Sequence, residues 1–211
     1  MAKRVYDLLF STIGLLVLGL PLLAIAAVVK RSDNGPAFYK QQRVGRYGRL
    51  FWIWKFRTMV VNADRLGPGV TQDGDPRITR VGRLLRKTKL DELPQLWNVF
   101  RGDMSFVGPR PELPRYVERY TEAQREILRL KPGITDLATL QFRNEEALLR
   151  KAPDVERFYL EHCVPRKIEL NLIYARKAGV LADTWIILQT LFPALQQTHE
   201  GERQDPASRA H

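Results

Sequence analysis

Two adjacent carboxylates, Asp91 and Glu92, sit in the stretch DPRITRVGRLLRKTKLDELPQLWNVFRGDMSFVGPRP, residues 75–111. Around them lie Arg77, Arg80, Arg83, Arg86, Lys87, Lys89, Arg101 and Arg110. One acid of such a pair could attack phosphorus while the other holds a metal, with the cations gathering a polyanion. The same residues also describe a solvated basic helix whose acids offset local charge. The elements on either side have to separate the two readings.

The chain has 211 residues, enough for one domain or one domain with an appendage. A formal net charge of +11 and a pI near 10.0 call for an anionic partner: nucleic acid, an anionic membrane or a phosphorylated small molecule. A lone cysteine, Cys163, rules out an intrachain disulfide framework and makes a reducing compartment the default. Three histidines and one cysteine leave no Cys/His zinc cluster. No Ser nucleophile elbow, Walker loop or GxGxxG is present. Gly45 and Gly48 read as turn glycines.

Leu8 to Val29 is almost wholly apolar and long enough to span a bilayer as a helix. It lacks the pattern of a cleavable signal. Lys3 and Arg4 precede it and Lys30 and Arg31 follow, which favours the cytoplasmic side for both ends. Pro21 removes one backbone hydrogen bond and crowds the carbonyl of Val17. A helix that enters, bends at Pro21 and returns fits these features. A kinked single-pass helix fits the proline as well.

After the turn Ser32-Asp33-Asn34-Gly35-Pro36, residues 37–44 and 50–59 read as the strands of a β-hairpin. Period two puts Phe51, Ile53, Lys55 and Arg57 on one face and Leu50, Trp52, Trp54 and Phe56 on the other. The aromatic face is expected to be core in preference to a membrane belt. Residues 60–76 form a polar loop of the kind that often serves as a lid. Leucines at helical spacing follow, with Thr88 and Asp91 resembling a cap, so Asp91 and Glu92 are expected in a first helical turn, where free N–H groups favour anions. The interspersed cations also suit a helix lying on anionic lipid.

Gly108-Pro109-Arg110-Pro111 is a stiff extended turn that would hold Arg110 at little entropic cost, as a phosphate clamp or as a plain connector. Residues 112–130 read as one helix, and residues 141–182 as helix broken at Pro153 and Pro165. Residues 181–195, with Pro193 inside, are too short to span and suit a buried or interfacial helix, with Asp183 as its N-cap or a third acid for the site. Residues 199–211 read as a disordered tail.

The N-terminal apolar segment, FYKQQRVGRYGRLFWIWKFRTM, the 75–111 stretch, KPGIT and LADTWIILQTL together resemble the bacterial sugar transferases, the monotopic phosphoglycosyl transferases. The resemblance covers nearly the whole chain, and DELPQLWNV with GDMSFVGPRP is its most specific part. It implies an α+β, mostly helical fold. Residues 1–35 would form a re-entrant helix-break-helix. Residues 36–198 would form a small cytoplasmic catalytic domain with the β-hairpin and interfacial amphipathic helices, on the inner (plasma) membrane of a bacterium.

The implied reaction passes a sugar-1-phosphate from a UDP-sugar to a polyprenyl (undecaprenyl) phosphate, giving polyprenyl-diphosphate-sugar and UMP and starting lipid-linked glycan assembly. By match to the family's acid pair, Asp91 would be the nucleophile and Glu92 the ligand of Mg²⁺. Arg110 would clamp phosphate, and Arg86, Lys55, Arg57 and Asp183 match further family positions at the site. A phospholipid membrane is an implied partner, nucleic acid is not, and a homodimer is compatible with the family. A carboxylate is ionised at pH 7 and its attack on a diphosphate needs neutralising cations, so the chemistry agrees.

Two departures stand out. Leu20-Pro21 replaces the Ser-Pro frequent at the family's helix break, and DLATLQFRNEEALL follows KPGIT where many members have GWAQVNGRN. The second change falls where the sugar or nucleotide would be touched, so the resemblance does not carry the identity of the sugar. Two other classes accommodate the charge: a membrane-tethered nucleic-acid binder, which leaves the acid pair without a role, and a noncatalytic scaffold of a glycan assembly complex.

Overall fold

The structure, a computed structural model, describes residues 1–67, 69–72, 74–192 and 195. Pro68 and Asp73 of the polar loop, Pro193 and the 199–211 tail lie outside the described residues.

Helix α1 runs from Ala2 to Asp33 and ends at Asn34, whose left-handed φ of 56° stops the helix. Lys30 and Arg31 in the last turn complement the helix dipole. It is the one helix among the described residues long and apolar enough to cross a membrane. Pro21 lies inside it, and the helical hydrogen bonding runs on past the proline. A proline withholds one N–H and crowds one carbonyl, and a long helix can absorb that locally.

Both ends of α1 are fastened to the same domain. Near its start, Asp7 accepts from Ser105 Oγ at 3.0 Å and Phe106 N at 3.2 Å, while Arg4 donates to the carbonyls of Val99 and Phe100, each at 2.7 Å. Near its end, Val29 packs with Phe56 and Leu85, all three buried, flanked by Leu22, Ile25 and Ala26. Burying each such side chain contributes roughly 1.5–3 kcal/mol. Between these anchors Leu16, Val17 and Leu20 stand exposed, Leu20 at 81%.

Strands β1 (Phe38–Val44) and β2 (Leu50–Phe56) form the expected antiparallel hairpin, with Phe38 opposite Phe56 and Val44 opposite Leu50. β2 ends three residues early, because Met59 bridges to Ile78 instead. The aromatic face departs from expectation: Phe56 is buried, but Leu50 and Trp52 are exposed. The opposite face carries Ile53 into a cluster with Val99 and Met104. Only one face of a two-stranded ribbon can be covered by α3 (Gln95–Arg101), and α3 covers the Ile53 side.

Helix α2 (Arg80–Thr88) starts at Thr79, whose hydroxyl accepts from Gly82 N at 2.9 Å. α3 ends at Gly102, with φ of 90°. β3 (Ser105–Val107) then pairs in parallel with β4 (Gly133–Thr135), a second small sheet invisible in the hydropathy pattern because each strand has three residues. The strands approach so closely at Gly108 and Gly133 that a Cβ on either would overlap backbone.

The single helix expected over 112–130 is instead α4 (Pro114–Val117), α5 (Glu122–Arg125) and a 3₁₀ turn. Thr121 and Gln124 form a capping box that starts a new helix in mid-segment. Then come α6 (Leu137–Gln141), α7 (Glu145–Leu149) and α8 (Val155–Phe158). A π turn over Tyr159–Cys163 joins α8 to α9 (Val164–Ala175). Pro165 does not break this run; it follows directly on the π turn, where the wider hydrogen-bonding pattern accommodates a residue with no N–H. α10 (Val180–Leu191) leaves Leu181, Trp185 and Leu191 exposed. The main core gathers Tyr116, Leu149, Tyr159, Cys163, Val164 and Ile168.

Gly82 fixes how α2 meets the hairpin, since a Cβ there would overlap the Thr58 carbonyl. Gly82→Ala is expected to destabilise the fold by about 1–3 kcal/mol despite the better helix propensity of alanine. Thermal unfolding in detergent should show a lower Tm for the variant.

Candidate functional site

Asp91 and Glu92 lie in a 3₁₀ turn, Leu90–Glu92, between α2 and α3. They are therefore not in an α-helical first turn, and Thr88 does not cap them. Thr88 is the last residue of α2 and its hydroxyl donates to the Leu84 carbonyl at 2.9 Å. The reason is Lys89, whose left-handed φ of 58° closes α2 before the acids are reached. The turn still leads into α3, with Leu93 N on Leu90 O and Leu96 N on Leu93 O.

Glu92 is the hub. Lys55 Nζ donates to its Oε1 at 2.9 Å, and the Arg110 guanidinium forks onto both oxygens, reaching Oε2 at 3.2 Å. Burial pushes the Glu92 carboxyl up, but the Arg110 and Lys55 charges outweigh it and hold the group well below the ordinary carboxylate range. The same carboxylate raises Arg110. Lys55 is pushed down by burial, against the pull of Glu92.

Asp91 is the opposite case. It is buried, and its Oδ1 has no hydrogen-bond partner. Burial raises its carboxyl; Lys55 opposes this and the adjacent Glu92 charge adds to it. Arg86 Nε and Gln95 Nε2 are likewise buried and unpartnered. An orphaned buried polar group costs about 1–3 kcal/mol, and such groups around one acid pair mark a place for a ligand.

The Pro-Arg-Pro turn is held from both sides. Arg110 N donates to Asp136 Oδ2 at 3.2 Å, Gly133 N to Pro109 O at 3.1 Å, and Arg43 Nη1 to Pro111 O at 3.1 Å. Asp136 also accepts from Asn171 Nδ2 at 2.8 Å and from Thr139 N as the cap of α6. Arg86 reaches across to Glu146 of α7 at 2.5 Å. Sequence reasoning missed Asp136, Asn171 and Glu146. Only Asp136 left a signal, as a capping acid ahead of an apolar run.

Of the residues expected at the site, the structure joins Lys55, Glu92 and Arg110 directly and sets Asp91 beside them, with Arg86 close enough to act on Asp91 electrostatically. Arg57 and Asp183 are engaged elsewhere. Arg57 forks onto Asp33 at the end of α1 and donates to Pro36 O at 2.6 Å. Asp183 is not the N-cap of α10, which is Gly179. It lies in the first turn, accepts from Tyr174 Oη at 2.5 Å and pairs with Lys3 at the start of α1. Pro21 belongs to the exposed middle of α1.

Among the described residues no three His, Cys, Asp or Glu side chains converge as a ready-made metal cage. A Mg²⁺ ion needs only one or two carboxylates when substrate phosphates complete its shell. Glu92 suits that: its Oε2 accepts a single hydrogen bond, from Arg110, and keeps acceptor capacity.

The chain thus joins an apolar helix of membrane-spanning length to a small mixed α/β domain that holds an acid pair inside a fork of cations. The chain belongs to the bacterial sugar transferase family, whose sequence profile matches residues 1–197. It is 37% identical over 201 residues to galactosyl transferase CpsE of Streptococcus agalactiae serotype III, covering 90% of this chain and 41% of that protein. It is 37% identical over 195 residues to the UDP-glucose:undecaprenyl-phosphate glucose-1-phosphate transferase of Escherichia coli K12, covering 90% of this chain and 39% of that one. Against the exopolysaccharide production protein ExoY of Sinorhizobium fredii the identity is 34% over 205 residues, covering 90% of this chain and 84% of the relative. The chain thus spans well under half of the first two and most of the third.

The opposite shifts of the two acids predict opposite stabilities. Asp91, raised in the folded state, carries an ionisation penalty above its folded pKa that vanishes below the unfolded value; Asp91→Asn should raise Tm at pH 7.5. Glu92, lowered, contributes stability above the unfolded value that is lost as pH falls through its folded pKa. Glu92→Gln should lower Tm at pH 7.5 by the equivalent of roughly 1–3 kcal/mol, tempered by the partial exposure of Arg110. Differential scanning fluorimetry in EDTA checks both signs.

Proposed function

We propose that this chain transfers a sugar-1-phosphate from a UDP-sugar to a polyprenyl phosphate, giving polyprenyl-diphosphate-sugar and UMP, the opening step of a lipid-linked glycan. The observation that carries this reading is Asp91: a buried carboxyl whose Oδ1 has no hydrogen-bond partner, next to Glu92 and within the charges of Lys55, Arg86 and Arg110. Family membership and the activity for which the E. coli relative is named support the substrate classes.

In the proposed first step an Asp91 oxygen attacks the β-phosphorus of the nucleotide sugar. The bond from that phosphorus to the bridging oxygen breaks, UMP departs with the electron pair, and an aspartyl-phosphosugar remains. In the second step an oxygen of the polyprenyl phosphate attacks the same phosphorus and Asp91 leaves as a free carboxylate. A water-soluble and a membrane-bound substrate thereby use one site in turn.

Lys55 and Arg110, which neutralise Glu92, would exchange onto diphosphate oxygens. That exchange frees Glu92 to hold Mg²⁺. When bound there, Mg²⁺ supplies charge neutralisation of the diphosphate. Arg110 keeps its aim because Asp136 and Gly133 fix the backbone on either side of it. Arg86 adds positive charge and is released from Glu146 if phosphate competes for it.

The reading includes a re-entrant α1 with both ends on the cytoplasmic face of a bacterial inner membrane. Its support is mechanical: Lys3 and Arg4 at one end and Asp33 at the other contact a single domain, and cations flank both ends. A straight crossing would put those contacts on opposite sides of the bilayer. Exposed Leu84, Trp97, Leu181 and Trp185 are suited to an apolar interface.

A UMP-release assay over a panel of UDP-sugars with undecaprenyl phosphate tests the reaction. Release should need the lipid for sustained turnover, stop in EDTA, and fall at least about 10³-fold in Asp91→Asn. Incubation with nucleotide sugar alone should add one sugar phosphate to the intact mass of the wild-type chain; full turnover without that adduct forming in any trapping condition would refute the covalent route. Single cysteines placed at residues 2 and 34 should both react from the cytoplasmic side, and reaction from opposite sides would overturn the re-entrant topology.

A further inference from the structure

Gln95 lies four residues beyond Asp91, at the start of α3, and is only 1% exposed. Its Nε2 has no hydrogen-bond partner, and neither does Asp91 Oδ1. One is a donor lacking an acceptor and the other an acceptor lacking a donor, both shut away from water. The chain between them keeps helical dihedrals through Leu93 (φ −54°, ψ −35°) and Pro94 (φ −60°, ψ −16°). Gln and Asp at such spacing on a helix are neighbours that bond through their side chains.

The face of α3 that carries Gln95 also carries Asn98 and Val99. Asn98 bonds the backbone of β2 on both sides, accepting from Trp54 N at 3.0 Å and donating to Trp52 O at 2.7 Å, while Val99 packs on Ile53. Lys55, the next residue of β2, meets Glu92. Gln95 therefore stands where α3, β2 and the acid pair converge, beneath the site and out of reach of solvent.

We propose that Gln95 is a positioning residue for Asp91. In the reacting enzyme its Nε2 donates to the buried Oδ1, which fixes the plane of the carboxylate and leaves Oδ2 as the attacking oxygen. Such a bond would satisfy both orphans at once. The assignment rests on Asp91 being the nucleophile. A carboxylate free to spin about its Cβ–Cγ bond would spend much of its time with neither oxygen aligned on phosphorus, and misplacement on that scale costs up to about 10²-fold in rate.

The test compares Gln95→Leu and Gln95→Met with the wild-type full chain, reading Tm and, from UMP release with undecaprenyl phosphate, kcat and the KM for nucleotide sugar. Expected are an unchanged or higher Tm, a KM within about threefold, and a kcat reduced about 10–100-fold. A merely structural glutamine would lower Tm and leave kcat per folded molecule alone. A folded variant with kcat within threefold of wild type overturns the proposal. Should both variants fail to fold, the glutamine side-chain resonances of ¹⁵N-labelled wild type decide. A Gln95 amide proton that moves upfield in Asp91→Ala supports the bond, and one that stays put overturns it. Asp91→Ala separates the two assignments: if it still releases UMP, the nucleophile and Gln95 both fall. If it is inactive while Gln95→Leu is fully active, only the Gln95 assignment fails.

Discussion

The fork of Arg110 and the ammonium of Lys55 on Glu92 is the interaction on which the rest of the site depends. It gathers three pieces of chain that share no secondary structure: the second strand of the hairpin, the 3₁₀ turn of the acid pair and the Pro-Arg-Pro turn. Two cations near one largely buried carboxylate leave a net positive field, and Asp91 sits inside it. That field is what allows a desolvated acid to remain beside another acid at all. It also sets the division of labour. Glu92, paired with two cations, is held ionised, while Asp91 Oδ1 is buried with no hydrogen-bond partner.

The site is anchored to the membrane helix through residues outside it. Asp183 and Tyr174 hold Lys3 at one end of α1, and Arg57 holds Asp33 at the other. Arg57 is two residues beyond Lys55, and Lys3 also donates to the carbonyl of Val107, three residues before Arg110. Each end of α1 is therefore coupled through a few covalent bonds to one cation of the Glu92 cluster. The long apolar helix and the cations of the Glu92 cluster thus share the same short stretches of backbone.

Glycine does similar work in the fold. Gly82 lets α2 lie directly on the backbone of Thr58, and Gly108 with Gly133 lets the two parallel strands touch. These approaches bring the basic helix and the Pro-Arg-Pro turn close to the acid pair, where any side chain at these positions would push them away. Exposed Trp52, Trp97 and Trp185 then remain on the outside, because the small core has already been filled from the opposite faces of β2, α3 and α10.

The acid pair, its basic setting, the stiff Arg110 turn, the hairpin and the apolar N-terminal helix were all legible in the sequence, since each is written locally: in adjacent residues, in a period of two, in a run of leucines or in flanking prolines. The partners were not. Nothing local says that Arg57 and Asp183 turn to opposite ends of α1, that three-residue strands 28 residues apart pair in parallel, or that the segment after Pro111 divides into two short helices at Thr121. Those outcomes follow from which faces meet across the fold. Residue types therefore determined what chemistry this chain could attempt, while tertiary structure alone decided which acid is neutralised and which is left open, because a charge buried by folding must be matched by whatever cations the distant chain brings to it.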